Sequence, residues 1–259
     1  MRTLFDFEDA PVFAIPTADG PRRGVLVDGP QGWGEFSPPP GCDDALAARW
    51  LTAAMEPSSV GWPDAVRGRV PVSDGRARAV VTVGSSVASA VARIREAGEL
   101  ELVRLVCRST EDAAAVRRQV DVPVAVEADL LAADPGCADV VVLRCGELGG
   151  VRRALRRAER LGVPAVVEFS GATSIGAAAD VALAAALPEL PYACGPAPQW
   201  LRTGDVVSLA RSLVPADGHL PAAPMPAAPD PARLEPFLVH DADTVQQWRA
   251  LVRRAVALL

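Results

Sequence analysis

Charged residues interrupt or end several short apolar runs. Arg104 lies within "LVRLV", Glu127 and Asp129 in "VAVEAD", Arg144 follows "VVVL", and Glu168 sits in "VVEF". Carboxylates gathered at strand ends suit general acid–base work or a hard metal ion. A guanidinium, with a pKa above ~12, takes no proton at neutral pH, but its fork pairs well with carboxylates. Glu127, Asp129, Glu168 and the thiol of Cys145 are therefore the acid–base candidates, and Arg104 and Arg144 the anion-binding ones. All 26 basic side chains are arginine. Without lysine there is no Schiff base and no lysine general base.

These residues need a frame that brings strand ends together. From Arg69 to about Gly195, apolar runs alternate with helical stretches, with strands expected at Val70–Val72, Ala79–Val83, Leu100–Val106, Val122–Val126, Val140–Leu143, Ala165–Glu168 and Tyr192–Cys194. That alternation implies a parallel sheet with crossover helices. Seven strands fit an incomplete or irregular (β/α) barrel better than an open five-stranded sheet. "VRRALRRAERLG" puts Val151, Ala154, Leu155, Ala158 and Leu161 on one face and arginines on the other, as in a solvated surface helix. The glycines of "GELGG" read as a tight strand-to-helix connection.

Ahead of this region, "PVFAIP" and "RRGVLVDG" read as strands and "DDALAARWLTAAM" as a helix with acids in its first turn. The expected fold class is α/β. A small α+β capping unit over residues 1–68 is joined by the C-terminal segment 225–259, and an incomplete barrel over 69–224 lacks one βα unit. The final helix, from about Ala242 to Leu259, repeats Val245, Trp248, Leu251, Val252, Val256 and Leu259 at helical spacing and should dock on the cap. Trp33 and Trp50 are read as core, His219 and His240 as surface residues.

Composition closes off several functions. A net charge of −6 argues against a nucleic-acid surface, and no apolar run is long enough to span a membrane. Five scattered cysteines, never in a CxxC pair, read as reduced thiols of a cytoplasmic protein. Dinucleotide and P-loop fingerprints are absent.

Six stretches carry a resemblance: "GWGEFSP" (Gly32–Pro38), "DDALAARWL" (Asp43–Leu51), "VRGRVPV" (Val66–Val72), "VDVPVA" (Val120–Ala125), "ADVVVLRCGELGGVRRAL" (Ala138–Leu155) and "TSIGAAADVALAAALPELPYACG" (Thr173–Gly195). Together they resemble the actinobacterial o-succinylbenzoate synthases, menaquinone-pathway dehydratases of the enolase superfamily. The resemblance implies a cap, a barrel, Mg²⁺ held by three strand-end acids, and two lysines facing across the site. It places Arg144 at the sixth-strand lysine and Arg104 at the fourth-strand metal ligand. Glu127 falls at the fifth-strand aspartate, followed by Ala128 where the family has a glutamate. "TVG" (Thr82 to Gly84) falls where the third-strand acid belongs, and the K-x-K strand has no counterpart. The substrate loop survives as "EFSGATS", which makes Glu168, Ser170 and Thr173 ligand-binding candidates beside Arg104 and Arg144.

The expectation is a family member without the metal-dependent lysine chemistry. Glu127 alone cannot hold a cation that needs several converging oxygens, so no cofactor is expected although the family uses Mg²⁺. Arg104 is read either as a carboxylate ligand or as half of a structural ion pair with Glu127 or Glu168. A small carboxylate ligand, an oligomer or a protein partner all remain open. So does an active lyase working through a rearranged site.

Overall fold

A computed structural model of the chain describes residues 5, 7–84 and 86–259. The first unit is an antiparallel meander of β1 (Val12–Ile15), β2 (Arg22–Gly29) and β3 (Gly32–Phe36). Helix α1 (Asp44–Ser59) follows, its first turn capped by the Asp43 carboxylate, which accepts from the Leu46 N–H at 2.7 Å. Its buried face, with Ala47, Trp50, Leu51 and Ala54, covers Val25, Val27 and Phe36. All five residues of β3 pair with β2, because the chain-breaking prolines begin only at Pro38.

The second unit begins at β4 (Arg69–Pro71). It continues through β5 (Arg78–Thr82), α2 (Val87–Glu96), β6 (Leu102–Val106), α3 (Thr110–Arg117), β7 (Val124–Glu127), α4 (Ala128–Ala133), β8 (Val140–Leu143), α5 (Cys145–Leu148), α6 (Val151–Leu161), β9 (Ala165–Val167) and α7 (Ser174–Ala186). Five strands form one parallel sheet in the order β5-β6-β7-β8-β9. Alternation along them sorts the side chains by face. Leu102, Ala125, Val140, Val142 and Val166 pack inside the curve of the sheet, while Val103, Val124, Val126, Val141, Leu143 and Val167 face the helices.

Two expected strands resolve differently. β4 pairs antiparallel with β10 (His219–Pro221), a strand the sequence reading did not foresee. Tyr192–Cys194 supplies one bridge, from Cys194 to Val72, because Pro191 and Pro196 confine it. This short segment still stitches the ring. The Gly195 N–H donates to Val167 O and the Cys194 N–H to Pro71 O, each at 2.8 Å. The ring then stops. Residues 72–77 are too few for a strand plus a crossover helix, β5 ends the sheet order, and Val80 on its inner face is 64% exposed. The barrel is open on that side.

The chain closes through α8 (Pro231–Leu234) and α9 (Ala242–Val256). Val252 and Ala255 of α9 join the core under α1, and Trp248 meets Phe36 edge-on at 6.0 Å. Among the described residues, no helix is long and apolar enough to cross a membrane.

Candidate functional site

Period-two alternation places the chemistry. β5 and β6 pair Arg78 with Leu102 and Val80 with Arg104, and β7 and β8 pair Ala125 with Val140 and Glu127 with Val142. Leu102, Ala125, Val140 and Val142 are inner residues. Arg104 and Glu127, two steps along from Leu102 and Ala125, and Arg144, two beyond Val142, therefore share the inner face at the mouth. Glu168 follows Val166 in the same way.

The three central groups answer one another. Glu127 Oε1 accepts from Arg104 Nε at 3.1 Å, from Arg104 Nη2 at 2.8 Å and from Arg144 Nη1 at 2.8 Å. Arg144 Nη1 also lies 3.5 Å from Glu147 Oε1. The Arg144 side chain is 13% exposed and that of Arg104 21%. Burial works against the Arg144 charge, but the carboxylates of Glu127, Glu147 and Glu168 outweigh it and raise its pKa. Burial likewise raises Glu147, with Arg144 opposing. The Glu168 carboxylate lies so close to Gly195 that any Cβ there would collide with it. The mouth holds two guanidiniums against three acids. Of the two readings kept for Arg104, the geometry has the ion pair with Glu127.

The other candidates point elsewhere. Asp129 was expected beside Glu127. It starts α4, which turns it to the outer surface, where it meets Arg157 at 2.5 Å and Arg49 at 3.5 Å. Ser170 was expected to bind ligand, yet its hydroxyl donates to Asp180 at 3.0 Å and its N–H at 2.8 Å. Thr173 caps α7, and its hydroxyl donates to Glu35. Cys145 is buried, donates to Ala179 O at 3.1 Å, and burial lifts its pKa well above the thiol range, so it serves no proton transfer at the mouth. Thr82 ends β5 without an acid. His219 and His240 are exposed. A cleft of about 780 Å³ does open between residues 16–19 and a wall including Phe169 and Trp200, but none of Arg104, Glu127 or Arg144 lines it.

Several working residues escaped the sequence reading. Glu35 is buried at the cap–barrel junction and accepts from the N–H groups of Ala172 (2.6 Å), Thr173 (2.9 Å) and Gly176 (3.2 Å) and from the hydroxyls of Ser37 and Thr173. Burial raises its pKa. Glu56 does the same service at the start of α6, accepting from the Val151 and Arg152 N–H groups. "GELGG" is the seat for this docking as well as a connection. A Cβ on Gly146 would come within 2.5 Å of the Trp50 ring, and Gly150 adopts φ 109° under the Glu56 carboxylate. Arg78, 8% exposed, crosses the barrel floor to donate to Ala193 O at 2.6 Å. A lone acid inside an alanine-rich helix, or a lone arginine opening an apolar strand, was the available signal.

Asp180 supplies a pH test. Burial pushes its carboxyl up to about 6 from an ordinary 3.8, against N–H bonds from Cys145 and Ser170. A raised folded pKa favours the protonated acid. Its contribution to stability is full below 3.8 and lost as pH rises through about 6. The shift corresponds to about 3 kcal/mol. Asp180→Asn should remove that falling component from the stability–pH curve between about pH 4 and 6. Denaturant melts across the range check it, and a slope equal to wild type would count against Asp180 as the titrating group.

The mouth does not fit a hard divalent cation. The one acid at a family ligand position has its oxygen occupied by three arginine N–H bonds, and two guanidiniums crowd it. Among the described residues, no three His, Cys, Asp or Glu side chains converge to hold a metal ion.

Comparison with known proteins agrees with the fold. Residues 20–58 match the family model described as enolase N-terminal domain-like. An o-succinylbenzoate synthase from Thermobifida fusca is 39% identical over 77% of this chain and 81% of its own. One from Mycolicibacterium smegmatis is 35% identical over 78% and 80%. Among solved structures, muconate lactonizing enzyme from Pseudomonas putida superposes with a TM-score of 0.64 at 16% identity, covering 89% of this chain and 98% of that one.

Proposed function

The chain belongs to the o-succinylbenzoate synthase family of the enolase superfamily, and from that premise we propose that it is a non-catalytic member, acting by binding rather than by turnover. One observation carries this reading. At the end of β8, where the resemblance puts the lysine that faces the family's base, Arg144 donates to the same Glu127 oxygen that Arg104 occupies, and the strand that would carry the base itself has no counterpart. A guanidinium cannot abstract a proton α to a carboxylate at neutral pH. The carboxylate that would face a metal is neutralised by its neighbours. A small carboxylate would have to displace Glu127 from both arginines, so the mouth is a weak receptor for that ligand. The retained asset is the scaffold.

The test is a spectrophotometric assay of the family's hydroxy-cyclohexadiene carboxylate. We expect no turnover, since loss of the general base alone removes about 10²–10⁴-fold. Arg144→Lys should not restore it, because groups that act as a unit do not recover singly and the opposing lysine is absent. Turnover within tenfold of the Thermobifida relative would overturn the proposal. A rearranged lyase site has one observation in its favour, the carboxyl of Glu147, raised by burial next to Arg144. Turnover that vanished in Glu147→Gln would establish that reading.

A further inference from the structure

Helix α6 carries its arginines at i, i+3, i+4 and i+7 (Arg153, Arg156, Arg157 and Arg160), which puts them on one stripe. Taken alone, such a stripe is a solvated face. The tertiary structure makes it concave. Arg49 of α1 stands across from it, and the five guanidiniums line a cleft of about 360 Å³ with Asp129 as its one acid. That volume is within the range of small-molecule sites, about 300–1,000 Å³. Asp129 answers Arg157 and Arg49 only. Among the described residues, Arg153, Arg156 and Arg160 have no ion-pair partner, while Arg152 on the adjoining face is held by Glu56. Five positive charges against one negative concentrate on this wall of a chain whose net charge is −6. None of Arg104, Glu127 or Arg144 belongs to it.

We propose that this cleft is a binding site for an oligophosphate chain. Guanidinium forks match phosphate oxygens in pairs, and several forks on a rigid helix suit an anion with charges spaced along a short chain better than a single carboxylate. Closely grouped like charges that lack acidic partners raise the local potential and favour a multivalent anion over chloride. A cleft of this size takes a small molecule, which favours a phosphate chain over an acidic protein segment.

Calorimetry of the full chain at about 150 mM salt, where long-range effects are screened beyond about 8 Å, tests this with tripolyphosphate, ATP, inorganic phosphate and hexaglutamate. We expect saturable 1:1 binding of tripolyphosphate, at least tenfold tighter than phosphate and hexaglutamate. The Arg153→Ala/Arg156→Ala/Arg160→Ala protein should lose it tenfold or more. These side chains are exposed, and an unchanged thermal melt would show the variant folded; Arg156→Glu alone is the second variant, with the same direction expected. ATP binding tighter than tripolyphosphate identifies a nucleotide-borne chain and equal binding an inorganic one, both in support. No saturable binding, equal binding by both variants, or hexaglutamate matching tripolyphosphate would overturn the proposal. Dehydratase activity does not enter the measurement, so this outcome stands apart from the assay above.

Discussion

Replacing Glu35 by alanine is expected to destabilise the protein by about 3–5 kcal/mol and to lower its melting temperature by roughly 6–20 °C. Glu35 is 5% exposed, and its carboxylate reaches from β3 into the first turn of α7. It satisfies three N–H groups that a helix start and its preceding loop would otherwise leave bare. Alanine removes the acceptor and leaves those donors, with two hydroxyls, to whatever water enters the vacated space. Each buried donor left unsatisfied costs about 1–3 kcal/mol, less where the loop can relax. Glu35→Gln keeps one oxygen but turns an amide N–H toward a backbone donor, so its loss should fall in between. Thermal and denaturant melts of both variants check the order. A Glu35→Ala melt at the wild-type temperature would mean that the cap docks without this carboxylate.

The second large effect is expected at the mouth. Glu127→Ala leaves Arg104 and Arg144 facing each other with their shared acceptor gone. Breaking a fully buried pair costs about 3–5 kcal/mol; because Arg104 and Glu127 keep some contact with water, about 2–4 kcal/mol is expected here. Substituting all three residues, as Glu127→Ala/Arg104→Met/Arg144→Met, should recover part of the loss, since apolar groups need no partner, while Glu147 then loses its contact with Arg144. If Glu127→Ala melts like wild type, the arginines are free to take an outside anion. The small-carboxylate reading would then regain its ground.

The two results address different parts of the molecule. The first measures how firmly the cap is held, and the second whether the mouth is a closed ion-pair network. The Asp180 test adds a third point of attachment, since that carboxylate ties the Ser170 loop to the backbone where α5 begins.

Much of the fold was legible along the chain. Val140–Leu143 matched its strand residue for residue, because four apolar residues between turn signals have little else to become than a strand buried on both faces. The other inner strands shifted by one or two residues at their ends. At β7 the start moved from Val122 to Val124, past Pro123, which cannot donate to a ladder. The final helix and its apolar stripe were equally plain, since periodicity is a local property. So was the chemistry of Arg144, because no environment makes a guanidinium a base at neutral pH.

The partners of those residues were not legible. Asp129 and Glu127 are two apart, yet the start of α4 sends one outward to Arg157 and leaves the other inward between two arginines. Ser170 and Thr173 looked like ligand contacts by their place in a motif, and the fold gave them to Asp180 and Glu35. Glu35 and Glu56 drew no notice because the helix starts they cap lie far along the chain, 137–141 residues away for Glu35 and 95–96 for Glu56. The sequence alone determined the strand–helix order, the absence of any lysine base and the alternation that aims Arg104, Glu127, Arg144 and Glu168 to one side. Tertiary structure decided which charges cancel, which acids hold the cap and which arginines of α6 stand around a cleft. The reason is physical: residue type and period are set by neighbours in the chain, whereas the pairing of charges depends on distances of a few ångströms between segments that only packing brings together.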